Sequence, residues 1–259
     1  MRGIIINDDR RYSYTEEYLK KRGFIFDGNC KKSELDVIIF SFKSEPNQDI
    51  YNDTFFSSLK KDVYIFSGLR NGYLTQKCKE FGFSYNVMLE ALSVQIDNAI
   101  PTSEGVIEYI IRNRTNTIHD SRILIIGYGV CGSDLAKRLK GLNADVYALV
   151  RNKEKESMAY ADSITPIYFS ELSCTGKLRA FDVIVNTVPA RIFTNEMTSL
   201  TGDTLLIDIA SSPYGFDIEL AKKQNEKSAI LPAIPSKYAI KTAGEILGGY
   251  IFDTVTKER

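Results

Sequence analysis

Three glycines at the spacing Gly127-x-Gly129-x-x-Gly132 follow directly on the apolar run Ile123-Leu124-Ile125-Ile126. Tyr128, Val130 and Cys131 fill the positions between them. In such a loop the first glycine permits a tight turn out of a strand. The second lets a phosphate approach bare backbone, and the third lets the next helix lie close to the strand. A helix opening there offers N–H groups and a partial positive charge to an anion. A second apolar run, Asp145–Val150, follows the loop. A plain strand-to-helix turn would also accept the glycines. The strand before, the helix after and the second strand beyond together point to a dinucleotide site.

The end of that second strand reads Leu149-Val150-Arg151-Asn152-Lys153, without an acid at its tip. An Asp or Glu there would bind a ribose 2′-hydroxyl, whereas a cation suits a 2′-phosphate. Arg151, supported by Asn152 and Lys153, therefore favours NADP over NAD; the bland alternative is a solvated basic turn. Two later loops, Asn186-Thr187-Val188-Pro189 and Asp208-Ile209-Ala210-Ser211-Ser212-Pro213, each close an apolar run. Ligands of open parallel sheets lie beyond the carboxyl ends of the strands. The expected cofactor set is thus Gly127, Gly129, Val130, Cys131, Gly132, Arg151, Asn152, Lys153, Thr187, Val188, Pro189 and Ala210, with Ser211 turned towards a substrate. Cys131 stands near a helix N-terminus, which lowers a thiol pKa, but its small size also suits simple packing.

The elements that must position these groups fall into two halves. In the first, apolar runs at Gly3–Ile6, Asp36–Ser41, Val63–Ser67 and Ser84–Met88 read as strands, alternating with helices at Tyr14–Arg22 and Tyr73–Phe81. Such alternation predicts βαβ units and a parallel sheet. Asn98-Ala99-Ile100-Pro101-Thr102-Ser103-Glu104-Gly105 reads as a helix start, with Ser and Thr oxygens as caps, continuing to Asn113. The second half has strands at Arg122–Ile126, Asp145–Val150, Thr165–Phe169, Val183–Val188, Leu205–Ile209 and Ser228–Leu231, a helix at Gly132–Leu139, and a last helix at Thr242–Thr256. The expected fold is α/β: two Rossmann-like domains linked by long helices, the second a doubly wound parallel sheet binding a dinucleotide. The expected boundaries are 1–97 for the first domain, 98–116 for a bridging helix, 117–235 for the NADP-binding domain and 236–259 for a helix crossing back to the first.

Bulk composition narrows the function. In 259 residues Lys+Arg and Asp+Glu both number 33, so no global field draws the chain to nucleic acid or an anionic membrane. Its apolar runs are far shorter than the roughly 20 residues of a membrane-spanning helix, and its start turns acidic too early for a signal peptide. A cytoplasmic protein is expected. The four cysteines, Cys30, Cys78, Cys131 and Cys174, form no CxxC pair, which argues against a zinc or disulfide framework. His119 is the one histidine; a metal site built on several histidines of this chain is excluded. It precedes the first cofactor strand, on the wrong end of the sheet for catalysis.

Taken together, the motifs resemble the dipicolinate synthase A-subunit family of spore-forming bacteria. The similarity lies in Asn98–Gly105, Thr117-Ile118-His119, Ile65-Phe66-Ser67-Gly68, Tyr73-Leu74, Asn186-Thr187-Val188-Pro189, Asp208-Ile209-Ala210-Ser211 and Lys241-Thr242-Ala243-Gly244-Glu245-Ile246-Leu247. The sequence departs from the family at Val130, where an arginine is usual. Ser212 and Tyr214 replace an arginine and a glycine, and Ala233 and Ser236 replace two glycines. The resemblance implies an NADP-linked oxidoreductase subunit working with the synthase's flavoprotein-like B-subunit. Its reaction would convert a dihydrodipicolinate-type intermediate of lysine biosynthesis to dipicolinate in the mother-cell cytoplasm during sporulation.

That chemistry removes a hydride and a proton from a dicarboxylate ring. Carboxylates call for an arginine, a lysine or a helix N-terminus. In a cleft between the halves, Asn98, Thr102, Arg70, Ser211 and Thr242 are the expected substrate contacts, and Lys241 and Tyr238 the expected catalytic groups. Each has a structural alternative: capping, solvation or a helix start. Two other readings stay open. One is another NADP-dependent dehydrogenase of the shikimate- or hydroxyacid-dehydrogenase type; the other is a cofactor-binding subunit inactive without its partner. A homo-oligomer is compatible with all three.

Overall fold

The computed structural model describes residues 1–6, 9–28, 30–40, 42, 46–172, 178–199 and 201–257. The chain divides into two compact units: Met1–Asn98 with Ala239–Arg259, and Ala99–Tyr238.

The first unit runs β1 (Gly3–Ile5), α1 (Arg11–Lys20), β2 (Val37–Phe40), α2 (Asp53–Ser57), β3 (Tyr64–Ser67), α3 (Gly72–Phe81), β4 (Ser84–Val87) and the start of α4 (Leu92–Asn113). Its four strands pair in parallel in the order β1-β2-β3-β4. Every residue of β2 is buried, as a strand covered on both faces of a parallel sheet must be. Phe40, Tyr51, Phe55 and Phe56 stack edge-to-face beneath one side of the sheet. Each end of α3 is closed by local chemistry. The Asn71 side chain accepts the Leu74 N–H at 2.9 Å to start it, and Gly82, at φ +75°, ends it in the left-handed region. Ser41, placed in the second strand by the sequence reading, and Cys174 lie outside the described residues.

The second unit continues through β5 (Arg122–Ile126), α5 (Val130–Gly141), β6 (Asp145–Val150), α6 (Lys153–Ala161), β7 (Thr165–Tyr168), α7 (Phe169–Leu172), β8 (Val183–Asn186), α8 (Asn195–Ser199), β9 (Leu205–Asp208), α9 (Ile218–Gln224), β10 (Ala229–Ile230) and α10 (Ile234–Tyr238). All six strands are parallel, in the order β10-β9-β8-β5-β6-β7. This is the doubly wound α/β order, and it reverses between β5 and β8. A crevice therefore opens beyond the carboxyl ends of those two strands. Their amino ends are tied by Asp182, which accepts from Arg114 Nη2 at 2.8 Å and from the Arg122 N–H at 2.8 Å.

Two expectations are corrected. The segment Asn98–Gly105 is not a helix start: α4 begins at Leu92 and passes through Pro101. Val94 and Ala99, each 1% exposed, anchor the earlier turns, and their packing outweighs the one N–H that proline removes. Asn98 and Thr102 therefore lie mid-helix and cannot be N-caps. The second correction concerns the last helix. α11 (Ile240–Lys257) opens two residues before Thr242, so Lys241 sits within its first turn and does not precede it. α11 belongs to the first unit and packs along α1, where Thr15 Oγ1 donates to the Gly244 carbonyl at 2.9 Å. A Cβ at Gly244 would overlap the Arg11 carbonyl, so only glycine allows this approach. Among the described residues no helix is long and apolar enough to cross a membrane.

Candidate functional site

The glycine loop leaves β5 at the topological switch point. Gly127 has φ +92°, a conformation that favours glycine, and a Cβ there would come 2.5 Å from Val188 Cγ2. Gly132 lies within the first turn of the helix, where a Cβ would overlap the Gly127 carbonyl oxygen. Gly129 is different: an added Cβ would meet nothing within 4 Å. It is the residue that precedes α5, which has no side-chain cap and no acid in its first turn. The helix thus presents its N-terminal N–H groups to open space with no internal carboxylate to compete for them. A pyrophosphate fits this cradle, and a side chain at position 129 would fill it.

The loop is backed by protein on three sides. Thr187 Oγ1 and Thr187 N–H both donate to the Ile126 carbonyl, at 2.8 and 3.0 Å. The Gly127 N–H donates to Leu149 O at 3.1 Å. Tyr128, 2% exposed, donates its hydroxyl to Asp162 Oδ2 at 2.7 Å at the end of α6. Burial, then this bond, pushes the phenol pKa well up, so it remains a donor. Tyr128→Phe should lower unfolding free energy by about 1 kcal/mol, since the partner stays partly hydrated. Urea unfolding checks this, and an unchanged midpoint would refute the latch. Burial also pushes the Cys131 thiol up, with Asp134 adding to it, which opposes thiolate formation there.

At the tip of β6 the three expected polar groups separate. The Asn152 side-chain oxygen accepts the Lys155 N–H at 3.0 Å and caps α6, a helix the sequence reading did not foresee. Lys153 pairs with Glu156 at 2.9 Å. Only Arg151 is exposed with no ion pair among the described residues.

Past β8 and β9 the two loops are sewn together by groups absent from the expected site. Both strands end one or two residues earlier than the apolar pattern suggests, because Asn186 and Asp208, each 0% exposed, turn inward. Asp208 Oδ2 accepts from Asn186 Nδ2 at 3.0 Å and from the Gly215 N–H at 2.7 Å; Oδ1 accepts from the Ala210 N–H at 2.9 Å. Asn186 in turn accepts the Val188 N–H at 3.1 Å. Burial raises the Asp208 pKa despite these donors. The N–H groups of Val188 and Ala210 are thereby committed to the network and are not free for a cofactor. Pro189 and Ser211 are exposed beside it. A polar residue closing each of two apolar runs was the signal for this pair.

The other expected groups divide between the two units. Arg70 donates to both oxygens of Glu90, one at 2.9 Å, so its guanidinium is already occupied. Tyr238 packs its ring against Gly105, and burial followed by Glu108 raises its pKa. Lys241 and Thr242 are exposed in the first unit, with Glu245 4.0 Å from the ammonium. Asn98 is counted with the first unit and Thr102 with the second. His119 is exposed beside Asp120. A hollow of about 890 Å³ in the second unit, lined by Arg114, Asp182, Thr204 and Lys227, opens at the amino ends of β8 and β9. It lies at the opposite end of the sheet from the glycine loop, and dinucleotides bind at the carboxyl end.

Comparison with known proteins agrees with this geometry. Residues 96–202 match the family "D-isomer specific 2-hydroxyacid dehydrogenase, NAD binding domain". The dipicolinate synthase A-subunit of Bacillus subtilis (strain 168) is 29% identical over 230 residues, 84% of this chain and 77% of that protein. The crystal structure of the same synthase component from Bacillus subtilis superposes with a TM-score of 0.85 at 24% identity, covering 100% of this chain and 98% of the other. Apo D-lactate dehydrogenase from Escherichia coli gives a TM-score of 0.66 at 13% identity, covering 100% and 97%. The two structural likenesses establish the fold. The sequence likeness bears out the resemblance carried by the motifs: the chain is similar to the dipicolinate synthase A-subunit, and residues 96–202 are similar to a nicotinamide-dinucleotide-binding domain of the dehydrogenase type.

Proposed function

We propose that the chain is an NADP-linked oxidoreductase subunit that converts a dihydrodipicolinate-type intermediate, drawn from lysine biosynthesis, to dipicolinate. It would do so with a flavoprotein-like B-subunit in the mother-cell cytoplasm during sporulation. The observation that carries the reading is the open, uncapped glycine cradle at the switch point of a chain whose likeness to a dipicolinate synthase A-subunit spans 84% of its length.

Aromatising a dihydropyridine ring removes one hydride and one proton. A bound nicotinamide would accept the hydride. The residues of this chain have the remaining tasks. The first-turn N–H groups of α5 receive the pyrophosphate, Arg151 pairs with the 2′-phosphate, and the Asn186–Asp208 network holds the two loops at the reacting end. Thr242 and the first turn of α11 offer donors to a carboxylate. Lys241 is the proposed proton acceptor.

The test mixes the purified chain, with and without the B-subunit, with NADP and freshly made dihydrodipicolinate and follows dipicolinate absorbance. Turnover supports the reading, and turnover only with the second protein present adds the partner requirement. Formation of no dipicolinate in either mixture overturns it. Arg151→Ala should weaken NADP roughly 10- to 100-fold, the worth of one charge-assisted phosphate contact, and leave NAD affinity unchanged. Calorimetric titration measures both; equal NADP binding by the variant would show that Arg151 does not select the cofactor. The match of residues 96–202 supports a second reading, oxidation of a 2-hydroxy acid. Turnover of D-lactate by the chain alone would favour it.

A further inference from the structure

The loops after β8, β9 and β10 span residues 187–194, 209–217 and 231–233, and a single Lys or Arg occurs in them, Arg191. It is exposed and makes no hydrogen bond or ion pair among the described residues. Its backbone, in contrast, is fixed on both sides. The Ala190 N–H donates to Val188 O at 2.8 Å, and the Ile192 and Phe193 N–H groups both donate to Gly215 O at 2.8 Å. Phe193 is fully buried in the core beneath. Arg191 is thus an unpaired cation on a rigid base, carried where the β8 and β9 loops meet. Its charge reaches the carboxyl end of β9, where it acts on Asp208.

The cations at this edge of the sheet divide by position. Arg151 follows β6, on one side of the β5/β8 switch point, and Arg191 follows β8, on the other. A dinucleotide laid across that point puts its adenosine half towards β6 and its nicotinamide half towards β8 and β9. The ring being oxidised must lie against the nicotinamide. No other cation in these loops is available to a carboxylate there, and a guanidinium presents the planar fork that a carboxylate accepts bidentately. Resting on the proposed function above, we infer that Arg191 is the residue of the second unit that binds a substrate carboxylate beside the nicotinamide.

The test titrates dipicolinate and, in parallel, D-lactate into the NADP-loaded chain, comparing wild type, Arg191→Gln and Arg191→Lys. Arg191→Gln should lose roughly 10- to 100-fold in affinity for the carboxylate ligand. Arg191→Lys should fall between it and wild type, while NADP affinity and thermal midpoint stay unchanged. If wild type holds D-lactate but not dipicolinate and the glutamine variant weakens it, Arg191 keeps its role and the dipicolinate reading falls. If either ligand binds the glutamine variant as well as wild type, the inference is overturned and the dipicolinate reading is untouched. Wild type that binds neither ligand overturns both.

Discussion

Gly132→Ala should abolish dinucleotide binding, with an affinity loss of more than about 100-fold, equivalent to at least two charge-assisted phosphate contacts. The added methyl has no room, because it would overlap the Gly127 carbonyl oxygen, a backbone atom that cannot rotate away. Relief requires α5 to draw back from β5 or Gly127 to leave φ +92°, and both displace the N–H groups that face the phosphates. The same strain should cost about 1–3 kcal/mol of stability, the usual range for overpacking. Gly129→Ala provides the contrast. Its backbone, at φ −90° and ψ −164°, is open to any residue, and its methyl would enter empty space. That variant should fold with unchanged stability yet bind the dinucleotide poorly, because the methyl occupies the volume the pyrophosphate needs. Calorimetric titration with NADP and thermal unfolding separate the two. Normal binding by both variants would remove the cradle as the cofactor site.

The contrast explains why this part of the site was legible in the sequence. Its signal is local: Gly127, Gly129 and Gly132 fall within six residues, Gly132 is limited by the Gly127 carbonyl, and the strand and helix that use them are contiguous. The same is true of the six apolar runs that became β5 to β10. What could not be read was set by partners distant in sequence. α4 runs through Pro101 because Val94 and Ala99 are buried, a fact of tertiary packing that overrides a proline and three good capping residues. Asn152 and Arg70 looked like ligand groups from their places at strand ends. Arg70 was claimed by Glu90, twenty residues on in sequence, whereas Asn152 was claimed locally, by the N–H of Lys155 in the unforeseen α6. The link between Asn186 and Asp208 joins neighbouring strands whose adjacency appears only when the sheet order is known.

That link carries the second large effect. Asp208→Asn should lower the unfolding free energy by about 2–4 kcal/mol, the cost of unsatisfied buried donors in a broken polar network. Asparagine is not a neutral replacement here. Asp208 receives three donors, two on Oδ2 and one on Oδ1. In either amide orientation the asparagine NH₂ would face at least one N–H. The pH dependence follows from the direction of the shift. Burial raises the folded-state pKa of Asp208 above its unfolded value, so the folded state takes up the proton first as pH falls. Stability from this group is therefore greatest below the ordinary aspartate range and is lost as pH rises through the raised folded value. The asparagine variant has no such titration. The stability difference between wild type and Asp208→Asn should accordingly shrink from about pH 3 to pH 7, with urea unfolding at each pH as the measurement. A difference that grows with pH would mean that the donors from Ala210, Gly215 and Asn186 outweigh burial and hold the carboxylate ionised. A difference near zero at every pH would mean that the loops after β8 and β9 are held by packing at Phe193 and Phe216, and not by the buried carboxylate.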